Sequence, residues 1–173
     1  MNSEKCYARA LELRKIAGGS HDLVALAKTI GIKVNFESDY KNLLGMYVHV
    51  MKSRFIFLNS RLDAYWLPMV LAHEIGHDQL HRSLARYGLQ EFELFRMNDS
   101  TEYEANAFAS HLLLDSDEVY EALREGMDIT ALSQTMNCNI NLMLIKLNEM
   151  HRLGYDIRVS DTADSHFFKK IHG

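Results

Sequence analysis

Residues 70–81 read VLAHEIGHDQLH, and no other stretch of the chain restricts its fold and chemistry so tightly. On a helix, His73 and His77 stand one turn apart on the same face, close enough to offer two imidazoles to one metal ion. Glu74 lies about 100° around the axis from His73. There it can take a proton from a metal-held water and later pass it to a leaving amine. This is the HExxH arrangement, in which zinc brings the pKa of water to about 7 and the glutamate acts as general base. A shuffled chain of this composition contains the pattern in roughly 3% of cases, so its surroundings matter. Leu71, Ala72 and Ile75 supply an apolar side, which predicts a buried helix rather than a charged surface one. Gly76 costs such a helix about 1 kcal/mol relative to alanine, which predicts close approach by another backbone. The competing reading is a set of histidines that merely line a satisfied core.

A catalytic zinc takes three protein ligands and keeps one position for water, so a third donor must come from a separate element. The stretch STEYEANAFASHLLLD offers Glu102, Glu104 and His111. Glu102 and Asn106 are four apart and share a helix face, so one could bind metal while the other orients a ligand histidine. Ala105, Phe108, Ala109 and Leu112 form the opposite, core-like stripe. Glu104 has a structural explanation, because Thr101-x-x-Glu104 fits a capping box at the helix start. Spacing alone leaves the choice among the three open.

The rest of the chain bounds the setting. Its 173 residues, 47% apolar and 24% charged, suit one globular domain over 1–173 with ample core. A formal charge of -4 gives no general attraction to phosphates or anionic membrane, so direct nucleic-acid binding is not expected. Cys6 and Cys138 lie far apart outside any CxxC cluster, which predicts free thiols in a reducing compartment. The start, MNSEKCYARALELRK, does not read as a signal peptide, and no apolar run approaches the ~20 residues of a membrane span. The expected location is the cytoplasm.

Periodicity predicts a helix over 3–17 and a second in SHDLVALAKTIGI, capped by Ser20 and ended by Gly31. The short runs IKVNF, GMYVHV and RFIFLN are β-branched or aromatic and read as strands, with MKS as a hairpin turn. Pro68 suits only the first turn of the motif helix, which is therefore expected to start at about Leu67. Residues 83–100 look irregular, with a strand expected at FELFRM. Helices resume at TEYEANAFASHLLL, DEVYEALREG, DITALSQTM and INLMLIKLNEMHRLG. The expected fold is α+β: a small antiparallel or mixed sheet packed on the HExxH helix, with a helical N-terminal segment and a helical C-terminal third.

AHEIGH followed by EYEANAFASHLLL resembles the ImmA/IrrE-type zinc metallopeptidases of bacteria, prophages and mobile elements. Looser similarity extends through SHDLVALAKTIGIKV, LGMYVHV and FIFLN. The resemblance implies a compact gluzincin-like fold with one zinc ion per chain. It implies Glu102 as the third ligand and Asn106 as the residue that holds a ligand imidazole in its tautomer. It also implies a substrate, a helix-turn-helix repressor of a phage, mobile element or stress response. His111 and Asp115 depart from the common pattern, at positions where an acidic residue and a proline are frequent.

Other features have weaker readings. His81, one turn beyond His77, is expected to pack or to support a ligand rather than to bind metal, since a fourth protein ligand would close the site. The hairpin could present an edge to an extended peptide. Residues 127–153 could form a helix-turn-helix, but Lys146 and Arg152 are few cations for a DNA-reading helix, so a packing role is expected. The tail SHFFKKIHG reads as a docked or frayed end. Tyr47, Tyr65, Tyr103 and His81 are all conceivable oxyanion donors. The expected activity is zinc-dependent endoproteolysis with Glu74 as base. Its rival is a non-proteolytic module that binds a repressor or DNA around a structural or sensing zinc.

Overall fold

The computed structural model describes residues 3–95 and 100–157. Helix α1 (Ser3–Ala17) and the short α2 (Leu23–Thr29) precede strands β1 (Lys33–Glu37), β2 (Gly45–Val50) and β3 (Ser53–Asn59). Helix α3 (Trp66–Leu80) carries the HExxH motif. After a 3-10 turn at Ala85–Tyr87 and a three-residue strand β4 (Leu89–Glu91) come α4 (Ser100–Leu113), α5 (Ser116–Arg124), α6 (Ile129–Thr135) and α7 (Ile140–Arg152). The fold is α+β, as its sequence predicts.

The sheet runs β1-β3-β2-β4. Strands β1 and β3 are parallel, and β2 is antiparallel to both β3 and β4. Met51 and Lys52 close the β2–β3 hairpin with φ values of 48° and 64°, the left-handed pair that a two-residue turn needs to match strand twist. Tyr47, Ile56 and Leu58 are fully buried sheet residues of the core that takes in α3. Every residue of α3 from Met69 to Asp78 is buried, because the helix lies between the sheet and α4. Asp63 Oδ1 accepts the Tyr65 and Trp66 backbone N–H groups at the start of α3, and Pro68 falls in the first turn, where its missing donor costs little.

Three local expectations change. Asp22, not Ser20, caps α2, its side chain accepting the Ala25 N–H at 2.9 Å. Thr101 lies inside the first turn of α4 rather than at its cap, and Glu104 meets His81. The strand expected at FELFRM forms instead at Leu89–Glu91, because pairing with β2 places it; the next described residues, 92–95, are bends and turns. The end of that stretch and the tail SHFFKKIHG lie outside the described residues.

Candidate metal centre

The motif helix and α4 bring three donors to one point. His73 Nε2 and His77 Nε2 are 3.0 Å apart. Glu102 reaches both imidazoles, with Oε2 3.3 Å from His73 Nε2 and Oε1 3.5 Å from His77 Nε2. One ligand atom from each residue lies within 4.8 Å of the others. Gly76 makes this approach feasible: a Cβ there would sit 3.0 Å from the Ala105 carbonyl oxygen and 3.1 Å from its Cα. The backbone contact expected from Gly76 is that of α4, which carries Glu102.

Hydrogen bonds orient both rings. His73 Nδ1 lies 2.9 Å from Asn106 Oδ1, which can only accept, so Nδ1–H donates and Nε2 is the nitrogen turned to the cluster. On the other ring, His81 Nε2 donates to Glu104 Oε2 at 3.0 Å. With that nitrogen donating, His81 Nδ1 can accept from His77 Nδ1–H, 3.0 Å away, which leaves His77 Nε2 facing the site. Glu104, His81 and His77 thus form one hydrogen-bonded chain that ends at the cluster.

Glu74 is completely buried, and no side chain among the described residues hydrogen-bonds either carboxylate oxygen; the Tyr47 backbone N–H is turned toward it. It rests against Gly45 of β2, where a Cβ would come 2.5 Å from Glu74 Oε1. The helix is fixed to the sheet by Asp78, which accepts from Tyr47 Oη at 2.8 Å and pairs with Arg54 and Arg82 at 3.1 Å. A second carboxylate enters the site that sequence spacing does not suggest. Glu91, at the end of β4, is 5% exposed and places Oε2 3.1 Å from His73 Nε2. It also hydrogen-bonds Glu102.

The field is strongly negative. Burial opposes a charge on His73, yet the Glu102 and Glu91 carboxylates raise its pKa to about 10. Burial, helped by Glu91 and Glu102, pushes Glu74 up to about 8. Burial, with His73 and His81, holds His77 well below the ordinary imidazole range. Burial works against the Glu91 charge, but His73 holds its carboxyl below the usual range, while burial and the adjacent Glu91 raise Glu102. Two imidazole nitrogens facing each other, a shared carboxylate and a buried glutamate that no described side chain hydrogen-bonds fit a zinc-class cation with N and O ligands.

The remaining residues singled out from the sequence go elsewhere. His111 is buried against Lys146, 3.1 Å from Nδ1, and burial together with that ammonium lowers its pKa to about 2. It is no part of the cluster. Asp115 caps α5 and pairs with Arg14 at 2.7 Å, which gives both departures from the family pattern structural work. Tyr47 Oη is spent on Asp78 and Tyr103 Oη on Glu149, while Tyr65 precedes α3, eight residues before His73. In the 127–153 region α7 packs on α4, and Lys146 is fully buried with Nζ 2.8 Å from Ser116 Oγ.

No helix among the described residues is long and apolar enough to cross a membrane. The chain is similar to the "Uncharacterized immunity region protein 2" of Bacillus phage phi105, with 36% identity over 89 residues. That match spans 51% of this chain and 56% of the phage protein. A peptidase-family model described as the IrrE N-terminal-like domain matches residues 27–156, a range that takes in α3, β4 and α4 together. The chain therefore belongs to the ImmA/IrrE-type family, whose domain is of the metallopeptidase type.

Proposed function

We propose that the protein is a zinc-dependent endopeptidase acting on a protein substrate, a helix-turn-helix repressor of a phage or mobile element in the bacterial cytoplasm. His73, His77 and Glu102 would hold one zinc ion, with Asn106 and His81 fixing the imidazoles. Bound there, zinc would supply Lewis-acid polarisation of the scissile carbonyl and acidify water. Glu74 accepts a proton from the attacking water as its oxygen bonds to the carbonyl carbon. When the C–N bond breaks, Glu74 returns that proton to the amine nitrogen. The site's burial excludes bulk water from this exchange.

The observation that carries the reading is Glu74 itself: a fully buried carboxylate that no side chain among the described residues hydrogen-bonds, close enough to His73 and Glu102 to feel their charge. A structural zinc has no need of such a group. The substrate class draws support from the printed name of the phage relative, an immunity region protein. A second reading, a non-proteolytic module with a structural or sensing zinc, draws on Glu91, because four protein side chains around a metal close it to substrate. Incubation with the repressor from the same gene neighbourhood, with and without chelator, separates the two. Cleavage that chelator abolishes supports the peptidase; binding without cleavage supports the module.

A further inference from the structure

Strand β2 is the sheet strand beside Glu74, and its outer edge is where an extended peptide would pair. That edge is taken by the chain itself. Strand β4 runs antiparallel along it, with Gly45 opposite Glu91, Met46 opposite Gln90 and Tyr47 opposite Leu89. The Leu44 N–H also donates to the Glu91 carbonyl at 2.7 Å. Gly45 is the residue against which Glu74 rests, so its cross-strand partner is delivered to the reacting position. There Glu91 turns its side chain inward, with Oε2 on His73 Nε2 and Oε1 accepting the Glu93 N–H at 2.7 Å. The pairing is only three residues long, and nearby Tyr87 and Phe92 are 88% and 54% exposed. So short an edge strand adds little stability of its own.

We propose that β4 is a built-in strap: it occupies the peptide-binding edge and supplies Glu91 as a fourth protein ligand to the metal, so that substrate must displace it. This rests on the reading of His73, His77 and Glu102 as metal ligands. Strap and metal hold each other, and displacement of β4 opens one coordination position and one strand edge together.

The test compares full-length wild type with Glu91→Gln and Glu91→Ala. Cobalt(II) is the probe, because its visible absorption reports ligand number and type, and zinc affinity is read by chelator competition. The glutamine keeps the side-chain volume should the alanine variant fail to fold. The expected result is one cobalt per chain in each, shifted and weakened absorption bands in the variants, and zinc affinity lower by about tenfold or more. At saturating zinc, repressor cleavage by Glu91→Gln should rise about tenfold as the strap loosens. If wild type takes up no cobalt, the metal reading itself fails. If wild type takes up one cobalt and the variants reproduce its spectrum and affinity, Glu91 is no ligand and this proposal alone falls. With a wild type that cleaves, Glu91→Gln cleavage no faster at saturating zinc overturns the strap, whereas no cleavage by either zinc-loaded protein overturns the peptidase reading.

Discussion

His81 Nδ1 lies 3.0 Å from His77 Nδ1, and the other nitrogen of His81 reaches Glu104. On the proposed zinc reading, this pair makes a residue outside the HExxH motif the support of a motif imidazole. His81→Phe keeps the ring's bulk but removes the acceptor, so zinc affinity should fall about 10- to 100-fold. Glu102→Gln should lower it further than Glu104→Gln, since one change removes a ligand and the other only loosens its support. Chelator competition on the purified variants checks this; equal losses would dissolve the distinction between ligand and support.

Glu74→Gln should leave zinc content unchanged and reduce repressor cleavage by about 10²- to 10⁴-fold, the range expected for loss of a general base. His77→Ala should lose the metal outright. Elemental analysis beside a cleavage assay gives both numbers. A Glu74→Gln protein that cleaves like wild type would remove Glu74 from the mechanism.

Gly76→Ala sets two effects against each other. Alanine gains about 1 kcal/mol in helix propensity, but overpacking a tight contact costs about 1–3 kcal/mol. The contact here is the Ala105 backbone, at 3.0 and 3.1 Å, which cannot rotate away. The expected outcome is net destabilisation in urea unfolding, accompanied by weaker zinc binding as α3 is pushed from α4. A stabilised variant with unchanged zinc affinity would show that the helices tolerate the separation.

Lys146 gives a pH signature remote from the metal centre. Burial, with Arg14 nearby, lowers its pKa from 10.5 to about 7. Between those values the unfolded chain holds a proton that the folded chain has released, so wild-type stability gains from rising pH. Lys146→Met lacks this contribution. Its stability relative to wild type should therefore fall by about 1 kcal/mol per pH unit between about pH 7.5 and 9.5. Urea unfolding of both proteins across that window measures the gap, and a constant gap would mean that Lys146 keeps its proton when folded.

Much of the architecture was legible because it is written in local periodicity. The α+β order, the buried HExxH helix, the hairpin turn after GMYVHV and the close contact at Gly76 all follow from residues within a few positions of one another, although Ser53 of the expected MKS turn already belongs to β3. The misplaced strand shows the limit. FELFRM has the β-propensity, yet Leu89–Glu91 forms the strand, because an edge this short is set by what it pairs with. The same limit hid Glu91, which lies on no helix with the histidines and at no diagnostic spacing from them.

By itself the sequence determined a helix that places His73 and His77 on one face with Glu74 beside them, since helical geometry alone sets those positions. Tertiary structure decided the rest of the site. Glu102 comes in only because α4 packs against Gly76, His81 matters because Glu104 lies within reach, and Glu91 arrives on a strand held by β2. The physical reason is distance along the chain. Backbone geometry relates residues a turn apart, whereas residues brought in from other elements are related only by how those elements pack.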